Sequence, residues 1–428
     1  MVTLYNLFQH LFLVLLFPFW AGLLIVNKRY RKGLIERLGF SEVFEDGIKG
    51  LSIWMHAASL GEVKVSAPIC EELAQKFPTY EIVFSSTTHV GKKQARSLLK
   101  GIKKVFLLPL DFLWVVCPIV SRFHPRFLLV AETELWPNLF FCMRKKRAHI
   151  ALFNGRISDR SFKRYSMFRF FFKRVLSCID LFCMQTAVDA QRIQALGASK
   201  ESVHITGNVK FDDPYTPLKL SELQGLREEL HINENDPVWV AGSVHTEEFF
   251  PLFEAYRRLK EANPRSKWIL VPRHLYALGQ FKDSLNSRGV SWALWDGKGK
   301  VSKPWEVLLV NVQGQLVRLY QLGFAAFVGG SLAPVGGHNP LEPLRYGIPT
   351  LFGPWMGNFK EIRDIATGES VAFEVANAGE VAAFLRQFLE EPERKEEIRI
   401  RCEEFFEKYR GATQRSIQLL ENWIRENA

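Results

Sequence analysis

The sequence predicts an α/β protein built from two doubly wound domains that face one another across a cleft, and three observations predict it. Short apolar runs alternate with helix-compatible stretches along most of the chain, the pattern of parallel strands covered by helices. A polar, proline-punctuated stretch, Asp212-Asp213-Pro214-Tyr215-Thr216-Pro217, interrupts that alternation and reads as a linker. At 428 residues the chain also exceeds one ordinary hydrophobic core.

The first element is an apolar segment, residues 4–26, interrupted by Asn6, Gln9 and His10 and followed by Lys28, Arg29, Arg31, Lys32 and Arg37. Its length suits a bilayer span or an anchor lying in one leaflet. A cleavable signal would carry its positive charge before the apolar run and a small-residue cleavage site after it, and this segment has neither. With the positive flank following the run, residues 1–27 are expected to anchor the protein so that its bulk lies on the cytoplasmic side.

Residues 28–214 are the first expected domain. Its strands are read at Ile53-Trp54-Met55-His56, Ile82-Val83-Phe84, Val105-Phe106-Leu107-Leu108, Phe127-Leu128-Leu129-Val130, His149-Ile150-Ala151-Leu152-Phe153, Leu181-Phe182-Cys183-Met184 and His204-Ile205-Thr206-Gly207. Helices are expected over 63–77, 91–99 and 161–176. Residues 215–428 form the second domain, with strands at Val238-Trp239-Val240-Ala241, Trp268-Ile269-Leu270-Val271, Val307-Leu308-Leu309-Val310, Ala325-Ala326-Phe327-Val328 and Thr350-Leu351-Phe352. The charged, amphipathic tail from residue 390 onward reads as helices closing that second domain.

Composition narrows the partners. A hydrophobic fraction of 47% and a charged fraction of 24% are those of a globular protein. The net charge of +11 favours an acidic partner, and with no zinc-type spacing, repeat or clustered basic stripe the sequence points away from nucleic acid and toward a membrane surface or a phosphorylated substrate. The six cysteines carry no paired spacing and read as reduced, buried small side chains.

The richest motif is Phe327-Val328-Gly329-Gly330-Ser331-Leu332-Ala333-Pro334-Val335-Gly336-Gly337-His338-Asn339-Pro340-Leu341-Glu342-Pro343. A buried strand over 322–328 runs into four glycines, and a helix is expected to begin at Pro340. Asn339, Pro340 and Glu342 suit an N-cap, a first helical position and a reciprocal capping box. Capping leaves the glycines unexplained; they imply a close approach, and amides beside a helix N-terminus suit an anion. Other strand-end loops also carry chemistry. His56-Ala57-Ala58-Ser59-Leu60-Gly61-Glu62 ends in a carboxylate that either caps the next helix or serves as a base. Ala131-Glu132-Thr133-Glu134-Leu135-Trp136-Pro137-Asn138 places two carboxylates and an aromatic at the carboxyl end of a sheet. The loops of residues 154–160 and 206–212 offer amides and cations, Gly242-Ser243-Val244-His245-Thr246-Glu247-Glu248 follows a strand, and Val271-Pro272-Arg273-His274 supplies a guanidinium.

These loops, in this order, resemble the 3-deoxy-D-manno-oct-2-ulosonic acid (Kdo) transferases over nearly the whole chain, Gly353-Pro354-Trp355-Met356-Gly357-Asn358-Phe359 included. The resemblance implies a B-type glycosyltransferase fold that moves Kdo from CMP-Kdo to a lipid A precursor at the cytoplasmic face of the inner membrane, with inversion and without metal or cofactor. Position by position it implies that Glu62 is the general base, that Glu132 and Lys210 steady transition-state charge, and that Pro272, Arg273, Asn339, Pro340, Leu341 and Glu342 line the CMP site. Where such enzymes often read Asp-Thr-Met-Gly-Glu-Leu, this chain has Asn311-Val312-Gln313-Gly314-Gln315-Leu316. Contacts to CMP there would pass through Gln313, Gly314 and Gln315 without a carboxylate. The competing readings are a B-type enzyme that takes a UDP-sugar and a silent membrane-bound nucleotide or lipid binder.

Overall fold

The computed structural model describes residues 2–18, 22, 31, 33–48, 50–213 and 215–428. They form two compact units, Met1–Asp213 with Tyr409–Ala428, and Pro214–Lys408. The first unit holds β1 (Ser52–Ala57), β2 (Glu81–Ser86), β3 (Lys104–Leu107), β4 (Pro125–Ala131), β5 (His149–Gly155), β6 (Leu181–Met184) and β7 (Val203–Ile205). The second holds β8 (Val238–Val244), β9 (Lys267–Pro272), β10 (Trp292–Trp295), β11 (Val307–Val310), β12 (Ala325–Val328), β13 (Thr350–Phe352) and β14 (Ala372–Glu374). The sheets run β3-β2-β1-β4-β5-β6-β7 and β10-β11-β9-β8-β12-β13-β14, and every pairing is parallel.

Both sheets are covered on two faces, so their central strands are apolar throughout rather than alternating. The two-residue period decides which face each side chain enters. Ile53, Met55 and Ala57 of β1 pack on one side with Phe127, Leu129 and Ala131 of β4, while Trp54, Leu128 and Val130 pack on the other. In the second unit Val240, Ile269, Leu308 and Ala326 share one face. Trp239 and Trp268 fill the other, their rings stacked at 5.2 Å and joined by Phe249 and Tyr256. In each sheet the strand order reverses at one strand, β1 in the first and β8 in the second. The crevice at the carboxyl ends beside such a reversal is where doubly wound sheets bind ligands.

Three features depart from expectation. Only part of the tail closes the second domain: the helix Pro392–Tyr409 stays with it through Lys408, whereas the helix Ala412–Glu426 belongs to the first unit. Its apolar stripe, Ala412, Ile417, Leu420, Trp423 and Ile424, enters the core beside Val63, Leu73 and Phe127, and Lys76 pairs with Glu421 at 2.5 Å. An amphipathic pattern says that a helix needs a partner but not which one. The expected helix over 161–176 is two helices, Asp159–Met167 and Arg169–Leu176, broken at Phe168. And the cysteines are not all reduced: Cys117 and Cys142 form a disulfide between the helices Leu113–Phe123 and Pro137–Lys145, with Cα atoms 5.5 Å apart. A separation of 25 residues matches no cysteine motif, and only the topology lays those two helices side by side. Cys70, Cys178, Cys183 and Cys402 are buried thiols.

The apolar N-terminal segment is described in part. Val2–Leu15 is helical, whereas residues 19–21 and 23–30 of the expected anchor and its basic flank lie outside the described residues. Among the described residues no helix is long and apolar enough to cross a membrane. The polar residues that interrupt the apolar pattern are the ones that dock. Asn6 and Asn138 exchange amide hydrogen bonds of 2.9 and 3.0 Å, Gln9 donates to the Asp111 carbonyl at 3.0 Å, and the Tyr5 hydroxyl donates to the Asp111 carboxylate at 3.3 Å. Asp111 in turn accepts the N–H groups of Asn138 and Leu139 at 3.0 and 2.8 Å. Leu7, Phe8, Leu11, Phe12, Val14 and Leu15 remain exposed on the outer side.

Candidate active site

In the first unit the site begins where β1 hands over to the helix Leu60–Lys76. The Ser59 side chain accepts from the Glu62 N–H at 3.3 Å, and the Glu62 carboxylate accepts from the Ala58 N–H at 2.8 Å. This reciprocal cap holds the Glu62 carboxylate over the carboxyl end of β1 at the strand reversal. Capping and chemistry are therefore not alternatives for this residue: the cap aims the carboxylate. Glu62 is only 9% exposed. Burial lifts its pKa to about 7, with the charges of Glu132 and Glu134 adding to the lift and the hydrogen bonds from Ala58 and Ser59 opposing it.

Glu132 sits at the end of β4 with φ of 55°, in the left-handed region, and its N–H donates to the Phe153 carbonyl at 2.9 Å. A non-glycine residue held there stores of order 1–2 kcal/mol of strain, which marks a place where side-chain direction matters more than comfort. Two other strand ends show the same device, Asn154 on β5 (φ 51°) and Ser243 on β8 (φ 55°). The Glu132 carboxylate meets the Lys210 ammonium at 3.4 Å. Glu134, half-buried next to it, has its pKa raised by burial, partly offset by the Trp136 indole and raised further by Glu132.

Lys210 is set in place by amides. Asn154 accepts from the Val209 N–H at 3.0 Å, and Gln185 donates to the Asn154 carbonyl at 2.8 Å. Asn208 donates to Gln185 at 2.9 Å and accepts from the Lys210 N–H at 3.0 Å. Asn154 and Asn208, read from the sequence as candidates for binding an anion, are scaffolding for Lys210. Gln185 belongs to no motif that the sequence shows; its place one residue past β6 is the signal that could have found it. Glu62, Glu132 and Lys210 thus gather on the carboxyl ends of β1 and β4 and the loop after β7. The arrangement can take a proton from a hydroxyl at Glu62 and place a cation beside developing negative charge.

The second unit corrects one expectation. The amides at the glycine-rich strand end are not an open cradle. Glu248, fully buried, accepts from the N–H groups of Gly330, Ser331 and Leu332 at 2.7, 2.9 and 2.9 Å, and from the His245 N–H at 3.0 Å. The anion that this backbone turn binds is the protein's own carboxylate. The glycines still mark close approaches, but of the chain to itself. A Cβ on Gly329 would lie 2.4 Å from the Ser243 carbonyl oxygen, and one on Gly337 would lie 2.2 Å from the Met356 sulfur. The helix beyond is a single turn, Leu341–Leu344, starting one residue later than expected, and Asn339 reaches it by accepting from the Leu341 N–H at 3.1 Å.

The remaining expected residues collect around this turn. Pro272 ends β9, opposite Val244 of β8, and the Arg273 N–H donates to the Val244 carbonyl at 2.9 Å. Arg273 thereby lies close enough to His245 and His338 to depress the pKa of both, though burial is the larger cause for each. Gln313 and Gly314 are exposed on the turn after β11, Gly314 with φ of 82°, and Gln315 accepts from Arg318 at 3.0 Å. The short helix that follows, Leu316–Tyr320, packs against Leu341–Leu344, so the turn at Gln313–Gln315 and the segment Asn339–Glu342 belong to neighbouring elements. Among the described residues no group of three or more His, Cys, Asp or Glu side chains is arranged to hold a metal ion.

Residues 32–213 match the family model of the 3-deoxy-D-manno-octulosonic-acid transferases. A 3-deoxy-D-manno-octulosonic acid transferase of Haemophilus influenzae is 31% identical over 411 residues, 95% of each chain. The chain belongs to the Kdo transferase family. A further relative, the 3-deoxy-D-manno-octulosonic acid transferase of Chlamydia trachomatis serovar A, is 32% identical over 325 residues, covering 75% of this chain and 74% of its own. The chain is therefore an enzyme, a glycosyltransferase of the Kdo-transferring family. Its fold is similar to a glycosyltransferase of Rickettsia africae (TM-score 0.60, 12% identity, 89% of this chain and 99% of that one). It is also similar to the UDP-GlcNAc 2-epimerase of Neisseria meningitidis (TM-score 0.58, 14% identity, 88% and 100% covered).

Proposed function

We propose that this Kdo transferase takes Kdo from CMP-Kdo and attaches it to a lipid A precursor with inversion, without metal, as a B-type enzyme. The first unit receives the acceptor and the second the donor. The single observation that carries this reading is the buried Glu62 carboxyl, poised near neutrality beside Glu132 and Lys210 at the strand reversal. A base with a pKa near 7 is half ionised at working pH and still strong enough to draw a proton from a sugar hydroxyl in the transition state. Lys210, held by Glu132 and the amide network, steadies charge that develops as the bond to the donor breaks. Pro272, Arg273, Gln313, Gly314, Gln315, Asn339, Pro340, Leu341 and Glu342 hold the CMP moiety in this proposal, the guanidinium of Arg273 suiting its phosphate.

The same proposal places the enzyme on the cytoplasmic face of the inner membrane through its N-terminal segment. The exposed apolar side of Val2–Leu15 supports it, together with Met167, Phe168 and Phe170, which are exposed among Lys163, Arg164, Arg169, Lys173 and Arg174. Apolar side chains set among cations are what an anionic bilayer surface takes up. The test is a transfer assay with the full chain, CMP-Kdo and tetraacyl lipid A precursor in EDTA, read by mass spectrometry. Products heavier by whole Kdo units, absent with Glu62→Ala, support the reading. A product formed only from a UDP-sugar would replace the donor, and loss of transfer in EDTA would refute the metal-independent route.

A further inference from the structure

Three histidines meet at the carboxyl edge of the second sheet, one from each of three strand-end loops: His245 after β8, His274 after β9 and His338 in the loop after β12. The Nε2 atoms of His245 and His338 are 3.1 Å apart. Their rings are 6° from coplanar, with centroids 5.4 Å apart. A ring nitrogen lies about 1.1 Å from the imidazole centre, so these numbers place the two rings end to end, nitrogen facing nitrogen, rather than face to face. That is an N–H···N hydrogen bond in which one ring donates and the other accepts. The pair therefore holds one shared proton and has room for one more, but not two.

The fold fixes this meeting. Glu248 accepts from the backbone of His245 and from Gly330, Ser331 and Leu332, so one carboxylate ties together the two loops that carry the pair. A Cβ on Gly330 would come within 3.0 Å of the His338 ring, so the backbone itself walls the ring in. His245 is faced by Glu248, Glu247, His274 and Arg273, and His338 by Arg273, His245 and His274. His274 meets the His245 ring edge to face at 5.6 Å, and Tyr276 stacks on His274 at 5.0 Å. Arg273, the proposed phosphate ligand, immediately precedes His274, and Asn339 immediately follows His338.

We propose that Arg273 and the His245–His338 pair together seat the phosphate of the donor nucleotide, and that the pair hands that phosphate a proton as it leaves. This rests on the CMP-donor reading above. The bond between the sugar's anomeric carbon and the phosphate oxygen breaks, its electron pair stays on the oxygen, and one proton passes from the imidazole pair to the phosphate. The acceptor oxygen bonds to the same carbon and gives its proton to Glu62. One proton is lost by the pair and one is gained by Glu62, and solvent restores both. Without a nucleotide, burial and then Arg273, His245 and His274 hold the pKa of His338 down to about 4, so the pair is neutral at pH 7. A phosphate charge about 4 Å away raises an imidazole's proton affinity by about a thousandfold. Nucleotide binding is then what charges the pair.

Calorimetry of CMP binding to the full chain at pH 7, in buffers of different ionisation heat, counts the protons taken up. The wild type is expected to take up about half a proton, and His338→Gln and His245→Gln to bind CMP with most of that uptake gone. Each variant is further expected to lower kcat by about a hundredfold with a smaller change in KM for CMP-Kdo, and to move the alkaline limb of its pH profile. CMP binding to the wild type without proton uptake, or equal uptake in wild type and variants, overturns the proposal and leaves the donor reading standing. Failure of the wild type to bind CMP at all removes both.

Discussion

Replacing Glu62 by glutamine removes a charge that the fold carries at a cost, and the size of that cost follows from the structure. The folded protein holds the Glu62 proton more tightly than an unfolded chain does, with a pKa of about 7 against an ordinary 4.5. Stability from this residue is therefore full below pH 4.5, is lost as pH climbs through 7, and stays lost above it. The loss is worth about 3 kcal/mol at pH 8, order of magnitude only. Glutamine keeps an oxygen for the Ala58 N–H and cannot ionise, so Glu62→Gln is expected to be the more stable protein at pH 8 and nearly equal to wild type at pH 5. Urea unfolding of the first unit, followed by a Trp54 or Trp136 signal at both values, measures this; with an ordinary urea slope the midpoint rises by about 1 M at pH 8. The same variant is expected to lose transfer by a factor of about 10²–10⁴. A midpoint that does not depend on pH refutes the buried-anion argument, and a variant that is stabilised yet fully active refutes the role of base.

The remaining predictions concern neighbours of that site and the scaffold around it. Glu132→Gln removes a negative charge beside Glu62, so the rising limb of the pH–rate profile moves to lower pH; movement to higher pH contradicts the electrostatics described here. Glu248→Gln presents an amide N–H₂ to backbone donors that now share a buried carboxylate, and is expected to cost about 3 kcal/mol, seen as a fall of several degrees in the melting of the second unit. Unchanged melting would mean that the turn holds without its internal anion. Asn138→Ala removes both amide hydrogen bonds to Asn6 and one of the two that the Asp111 carbonyl accepts, so amides of the helix Val2–Leu15 are expected to exchange hydrogen at least tenfold faster while those of β4 do not.

The sequence made the central strands legible because strands buried on both faces are continuous apolar runs. The two it did not reveal, β10 and β14, are the edge strand of one side and the edge strand of the other. Trp292 and Leu294 of β10 are partly exposed, and β14 is three residues long, so neither produces the apolar run that marks an interior strand. Of the candidate site, Glu62 was legible as a cap or a base because Ser59-x-x-Glu62 opens a helix at a strand end, and the resemblance to the family weighed the base. What Glu248 binds lies more than eighty residues further along the chain, so its acid read only as a loop residue following a strand. The glycines announced a close approach without saying that the visitor was Ser243 or Met356 rather than a nucleotide. The break at Phe168 has no glycine or proline to announce it.

The internal anion at Glu248 also constrains how this enzyme can be inhibited or can drift toward another donor. A compound that carries a phosphate mimic toward the amides of Gly330, Ser331 and Leu332 finds their hydrogens already spoken for, and must dislodge a buried carboxylate to reach them. In the proposed donor site, affinity would come from side chains instead, from Arg273 and the imidazoles beside it. By the same logic the backbone of this turn keeps its shape whatever nucleotide is present. A change of donor in this lineage would then be written in a few exchangeable side chains, above a turn whose charge balance was settled before any substrate arrived.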